Sequence, residues 1–336
     1  MNAAPEPGEA AATIVGAGSV GLALALRLAR AGVGVLLVTR RPEAARTLAE
    51  RGLAGDDPAT GARVAAAVRA SAEPTPRSLA PGPVFLCTRA NAVDAVARML
   101  AGTPAPLVTF QNDVASETAA ARHHAPVIGG VWRETVTRRA DDRVCLQLER
   151  PGRAVVGLHP HGWIAEVDAV AALLRRGDID VSVSRDIARD KWLKLCVNLM
   201  SAPNALIRRS DHRTRAFVEI KARLLEEARA ALFAAGIAPR SCDGRDRSLV
   251  EEIAWQRASL ASGESARELP IYNQVWSALR HGASLEADAY HRRILRLAEE
   301  SAIPAPVNAR VLEVLLRQAA SGAGPESIAA AEILDV

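Results

Sequence analysis

Arginine supplies nearly all the basic side chains of this chain, and lysine occurs at only three positions, Lys191, Lys194 and Lys221. An ammonium group can release a proton near neutrality once its pKa is lowered, which a guanidinium does not do, so lysines kept against such a background are candidate proton donors. Lys194 stands four residues before Asn198, a spacing that projects both side chains from one side of a helix. A second group of residues points to nucleotide chemistry. Thr13-Ile14-Val15-Gly16-Ala17-Gly18-Ser19-Val20-Gly21 has the form of a buried strand entering a glycine turn that opens a helix. In such a turn Gly16 permits the tight bend, Gly18 lets the backbone approach a pyrophosphate, and Gly21 lets the helix lie against the strand. The free N–H groups of the helix start, over Ala17, Ser19 and Val20, face the phosphates.

The elements around these residues follow a βαβ order. Residues 22–31 form a helix stopped by Gly32, and residues 33–38 a second apolar strand ending in Thr39-Arg40-Arg41. NAD sites usually place a carboxylate at that point, whereas two guanidiniums suit the extra phosphate of NADP, so NADPH/NADP+ is the expected cofactor. The plainer alternative is a solvated basic turn. A helix over 42–51, a short strand over 64–67 and a proline-rich loop over 72–83 come next. Residues 84–88 and 107–110 are continuous apolar runs of the kind buried in a parallel sheet. Thr88, Arg89 and Asn112 stand at the carboxyl ends of these runs, where a doubly wound sheet gathers its ligand groups beside the glycine turn. Strands are expected over 127–137, 144–148 and 154–158, with a turn at 138–142, then a helix over 167–175 and a last strand over 181–183. Mixed pairing belongs on that far side of the sheet.

From Asp186 the strand signals stop and helical periodicity takes over. The fold class is therefore α/β, an N-terminal Rossmann dinucleotide-binding domain over 13–184 followed by an all-helical C-terminal domain over 185–322, with a disordered tail before residue 13 and a loosely ordered one after 322. Helices are expected over 187–206, 214–235, 247–259, 271–279, 284–301 and 307–319. In the fifth of these Ser284 caps the start and Glu286 falls in the first turn, where a carboxylate suits the helix dipole.

A length of 336 residues with 49% hydrophobic content suits two domains that each bury a core. The net charge of +4 comes without a basic block interleaved with aromatics, which argues against nucleic acid and for a small anionic ligand. No run of 18 apolar residues is present, so no membrane span is expected. The first residues lack the basic and apolar regions of a secretory signal. Four scattered cysteines without metal or disulfide spacing fit the reduced cytoplasm. His123-His124 and His159-Pro160-His161 lack a third ligand, so no metal is expected. A homodimer is the assembly kept open.

The glycine loop, Phe110-Gln111-Asn112, the run Lys191-Trp192-Leu193-Lys194-Leu195-Cys196-Val197-Asn198, the segment Leu285-Glu286-Ala287-Asp288-Ala289-Tyr290 and the later Ala302-Ile303-Pro304-Ala305-Pro306 together resemble the ketopantoate reductase family, from Thr13 to about Gln318. The resemblance implies a Rossmann domain joined to a helical one with the site in the cleft between them. It implies that Arg40 contacts the NADP phosphate, with Arg41 beside it, and that Lys194 is the general acid. It gives Asn112 a place near the nicotinamide and the substrate carbonyl, Asn198 a hold on the substrate, and Glu286 a part in binding substrate and in the lysine's network. In the mechanism so implied, NADPH delivers hydride to a 2-oxo carbon and Lys194 protonates the developing alkoxide, with 2-dehydropantoate, reduced to pantoate, as the default substrate.

The chain also departs from the family pattern. Ala202-Pro203 replaces an asparagine before proline, Arg89 replaces a lysine, Asp113 follows Asn112 where glycine is usual, and Ser277-Ala278 replaces Gln-Asp. The family's serine before the last motif falls near Asn273-Gln274, which makes Gln274 a substrate-binding candidate with Arg89. These changes fall on groups that read the substrate. A different carbonyl or imine substrate is therefore one alternative, and a silent NADPH-binding sensor another. Retention of both Lys194 and Glu286 favours the enzyme.

Overall fold

The computed structural model describes residues 11–56, 63–73, 79–134, 136, 152–258 and 273–334. The chain divides into two compact units, Met1–Asp190 and Lys191–Val336.

The first unit is a wound α/β domain of β1 (Ala12–Val15), α1 (Ser19–Arg30), β2 (Val35–Val38), α2 (Pro42–Arg51), β3 (Leu53–Asp56), β4 (Arg63–Ala66), β5 (Arg69–Ser71), β6 (Val84–Leu86), α3 (Val93–Met99), β7 (Leu107–Thr109), α4 (Ser116–Ala121), β8 (Val127–Trp132), β9 (Gly152–Leu158), α5 (Ala165–Arg176) and β10 (Ile179–Ser184). Eight strands form one sheet in the order β10-β9-β8-β7-β6-β1-β2-β5. Every neighbouring pair is parallel except β8 with β9, which is the mixed pairing expected on the far side. The order reverses at β1: the chain runs outward to β2 and β5, then returns to β6 on the other flank, pairing Ile14 with both Leu37 and Phe85. A crevice opens at such a reversal beyond the carboxyl ends of the two central strands.

Alternation along the strands divides the core between the two faces. Ile14, Leu37, Phe85, Val108 and Ile128 pack with Leu22, Leu26, Val170 and Leu174 of α1 and α5. Val15, Leu36, Leu86 and Leu107 point the other way, against Val93, Ala97 and Leu100. One charge is buried in this unit with its partner: Arg27 of α1 grips the Glu134 carboxylate through Nε and Nη2, while its Nη1 donates to the Asp178 carbonyl at 3.0 Å. Gly152 lies flat on that guanidinium, since a Cβ there would come within 2.9 Å of its carbon.

Several local expectations change. The strand expected near residue 64 is β4, which pairs with β3 in a separate antiparallel hairpin, and the sheet's outer edge is instead β5, paired with β2. The strand expected over 144–148, the turn over 138–142 and the chain before residue 11 lie outside the described residues.

The second unit is helical: α6 (Ile187–Leu199), which carries the junction, α7 (Ser201–Leu206), α8 (Arg215–Ala234), α9 (Leu249–Ala258), α10 (Gln274–His281), α11 (Ala287–Glu300), α12 (Pro306–Ser321) and α13 (Ala331–Leu334). The single helix expected over 187–206 is two, broken at Met200. Pro203 sits in the first turn of α7, where its missing N–H costs nothing. Thr214 starts α8 by accepting from the Phe217 N–H at 3.3 Å. The described residues after Gly322, 323–334, are held, not loose. Glu326 accepts from Arg209 at 2.7 Å and from Trp276 Nε1 at 3.1 Å, the Ala330 N–H donates to Asp211 at 2.9 Å, and Ile328 and Ile333 are buried. No described helix is long and apolar enough to cross a membrane.

Candidate active site

In the first unit the site is shaped by what the glycine loop cannot accommodate. Gly16 has φ +115 and its N–H donates to the Val38 carbonyl at 2.8 Å; a Cβ there would lie 2.6 Å from the Cys87 carbonyl oxygen. A Cβ on Gly21 would lie 2.0 Å from the Gly16 carbonyl oxygen. These two glycines are needed by the protein's own packing, because no L side chain fits either place. Gly18 differs: its Cβ would meet only the Cys87 oxygen at 3.8 Å, an ordinary contact. The space above Gly18 is thus open on the protein side, as a close-lying ligand requires. Gly18 is the N-cap of α1, no side chain caps it, and the first turn, Ser19 to Leu22, holds no acid. With Ala17, Ser19 and Val20 only half buried, the positive end of the helix dipole is left for an anion.

The carboxyl ends of the flanking strands complete this half. Arg40 and Arg41 are exposed and pair with no described acid; Arg41 is the N-cap of α2, ahead of Pro42. Thr88 stands against Gly16, and its buried Oγ1 has no hydrogen-bond partner. Arg89 is exposed at the end of β6, and Asn112, half buried, follows β7. Burial pushes the Cys87 thiol beneath the loop up to about 12, so little of it is thiolate near neutrality. Gln111, which sequence reasoning passed over as part of a motif, is the brace of this rim. Its Nε2 donates to the carbonyls of Leu86 at 2.8 Å and Thr88 at 3.0 Å, locking the end of β6 to that of β7. Asp113 is accounted for locally: its Oδ1 accepts from the Ser116 N–H at 3.3 Å, starting α4.

In the second unit α6 buries most of its surface, and Lys194, Val197 and Asn198 form a half-buried stripe on it. Lys191, by contrast, is only 3% exposed. Glu286 and Gln274 are brought together across α10 and the loop that follows it, with Gln274 Nε2 donating to Glu286 Oε2 at 2.8 Å. Gln274 opens α10, whose N-cap Asn273 accepts from the Trp276 N–H at 2.9 Å and donates to the Ser201 carbonyl at 2.8 Å, tying α10 to α7. The helix expected to begin at Ser284 begins at Ala287, so Ser284 does not cap it and Glu286 is itself the N-cap residue, without a capping bond of its own. Ala202, standing where the resemblance leads one to expect asparagine, is fully buried and has no polar side-chain atom.

Family models match nearly the whole chain: one described as ketopantoate reductase PanE/ApbA over residues 12–161, and one described as ketopantoate reductase PanE/ApbA C terminal over residues 186–319. The 2-dehydropantoate 2-reductase of Pyrococcus abyssi is 24% identical over 309 residues, 88% of this chain and 93% of that one. The enzyme of the same name from Caulobacter vibrioides is 27% identical over 249 residues, 72% of this chain and 79% of that one. Among solved structures, a PanE/ApbA family ketopantoate reductase from Ralstonia eutropha superimposes with a TM-score of 0.73 at 19% identity, over 93% of this chain and 99% of the other. A D-mandelate dehydrogenase solved with NADH and anilino(oxo)acetate gives 0.75 at 16% identity, with the same coverage.

Proposed function

The chain belongs to the ketopantoate reductase family, and on that footing we propose that it is an NADPH-dependent reductase of a 2-oxo acid in which Lys194 is the general acid. The glycine loop carries the cofactor assignment: Gly16 and Gly21 leave no room for a Cβ, Gly18 faces open space, and the helix start behind it has no acid and no cap. Gly16 to Gly21 and the Thr88 hydroxyl would hold the pyrophosphate region, and Asn112 would lie beside the nicotinamide. Arg40 and Arg41, exposed and free of described acids, suit a 2′-phosphate, which a guanidinium binds in bidentate fashion. NADPH, when bound, supplies the hydride.

The remaining steps belong to the protein. Lys194 donates a proton to the carbonyl oxygen as negative charge gathers there, and a positioned acid of this kind contributes about 10²–10⁴-fold. Asn198, one turn along α6, holds the substrate beside it, and Glu286, steadied by Gln274, orients the substrate and the ammonium. Arg89 at the rim offers charge to the substrate carboxylate.

The reference substrate is 2-dehydropantoate, but the buried Ala202 removes one contact expected for it, which favours a 2-oxo acid with a different side chain. Following the loss of NADPH absorbance over a panel of 2-oxo acids, with their neutral amides as controls, tests both points. Turnover of an acid and not of its amide is expected. Equal turnover of the two would remove the carboxylate from recognition, and no turnover with any oxo acid would overturn the 2-oxo acid assignment.

A further inference from the structure

The second unit contains a buried chain of hydrogen bonds that none of the roles above uses. His291, on the second turn of α11, is fully buried and its Nδ1 lies 3.0 Å from Asn308 Oδ1. Asn308 is equally buried near the start of α12, and its Nδ2 donates to Glu227 Oε2 at 2.9 Å and to the Leu224 carbonyl at 3.2 Å, both on α8. Glu227 closes the chain by accepting at 2.9 Å from the N–H groups of Val307 and Asn308, the unpaired donors of the α12 start. The other ring nitrogen, Nε2, is buried without a hydrogen-bond partner.

An apolar side chain would fill the place of His291 at less desolvation cost, because buried polar chains add little net stability. What such a chain supplies is uniqueness. The α11 neighbours of His291, such as Ala287, Ile294, Leu297 and Ala298, are buried and apolar, and contacts of that kind tolerate repacking and small shifts. Hydrogen bonds of fixed length and direction do not. Glu286 lies at the N-terminus of this same helix, so a shift of α11 moves its carboxylate directly.

We propose that His291 is a positioning residue for Glu286: through Asn308 it anchors α11 to Glu227 of α8 and so fixes the register at which the helix presents its N-terminal carboxylate. The proposal rests on the part given to Glu286 in the proposed function. Asparagine at 291 places an amide N–H near the position of Nδ1 and can keep the bond to Asn308, whereas leucine fills the volume and loses the bond. If the role were packing alone, leucine would be the milder change.

The test compares His291→Leu, His291→Asn, Glu286→Gln and the double variant Glu286→Gln/His291→Leu, assayed well below the melting temperature of each. His291→Leu is expected to lower kcat about 10- to 100-fold, the scale of a misplacement near 1 Å, with NADPH affinity within about twofold of wild type. His291→Asn should recover most of that loss, and the double variant should be no slower than Glu286→Gln alone. Should leucine at 291 prevent folding, His291→Gln, whose amide mimics Nε2 and not Nδ1, takes its place with the same expected loss. Wild-type kcat in the leucine or glutamine variant, no recovery in His291→Asn, or losses that multiply in the double variant would each overturn the proposal. If Glu286→Gln itself turned over normally, the role of Glu286 would fall and this one with it; if Glu286→Gln were slow while His291→Leu and its glutamine substitute kept wild-type kcat, only the proposal for His291 would fall.

Discussion

Gln274 donates to Glu286 at 2.8 Å, so the first residue of α10 holds the side chain that stands at the head of α11. A hydrogen bond to a charged group is worth about 1.5–3 kcal/mol, and the exposure of Gln274 puts this one at the low end. Gln274→Ala should therefore lower kcat/KM by about tenfold. Gln274→Glu should be worse, because a second carboxylate beside Glu286 raises its pKa and carries loss of activity to higher pH on the acid side. A pH–rate profile of Gln274→Glu that overlays the wild type would rule the contact out of catalysis.

Lys194→Arg and Lys194→Ala should both lose about 10²–10⁴-fold in kcat while NADPH binding, followed by fluorescence, stays intact, because a guanidinium keeps its proton above pH about 12. By sequence alone Lys191→Arg looks a harmless comparator. The burial of Lys191 changes that expectation: the larger head must fit where 3% of the residue is exposed, so the melting temperature should fall while kcat per folded molecule is kept. Wild-type turnover in Lys194→Arg would refute the assignment.

Arg40→Ala should weaken NADPH by about 1.5–3 kcal/mol and leave NADH nearly unchanged. Both Arg40 and its neighbour Arg41 are exposed, so the difference should shrink as salt is raised and grow when Arg41 is removed as well. Titration of each cofactor at two ionic strengths decides it. Equal loss for both cofactors would mean that these arginines read something shared by the two.

Burial lowers the pKa of His291 from 6.5 to about 4, so the folded protein needs this ring neutral while the unfolded chain protonates it at the higher value. The contribution to stability is complete above pH 6.5 and is lost as pH falls toward 4, amounting to about 3 kcal/mol at roughly 1.4 kcal/mol per unit. His291→Leu should flatten the fall of melting temperature with pH over that window. An unchanged slope would show that other groups, such as the buried His124 and the half-buried His212, whose values desolvation also lowers, govern it.

The sheet was legible because its central strands are unbroken apolar runs, and the glycine loop because its turn demands particular residues. Elements without such a constraint were not. β5, Arg69-Ala70-Ser71, is a polar edge strand whose only reason to be a strand is its neighbour β2. Ser284 has the right type for a cap, yet the helix starts at Ala287, so residue type alone did not locate the boundary. The site shows the same division. Lys194 and Asn198 could be paired from their spacing on one helix, whereas Asn308 and Glu227 lie 81 residues apart and Gln111 braces a carbonyl 25 residues before it. Partnerships of that range are made by the fold and leave no local pattern.

The position of β1 in the sheet also bears on how the protein comes to bind anything during its synthesis. β1, α1 and β2 are contiguous, yet the shape of the glycine loop depends on Cys87 and Thr88 beyond β6, with the Cys87 N–H donating to the Val15 carbonyl at 2.8 Å. Pairing β6 to the far flank of β1 closes a long stretch of chain, the kind of step that local contacts precede and chain entropy delays. A nascent chain that has made only its first βαβ unit thus has the signature without the cradle. Nucleotide capture during refolding is accordingly a clock for the return crossing of the sheet, and it should run behind the formation of helix.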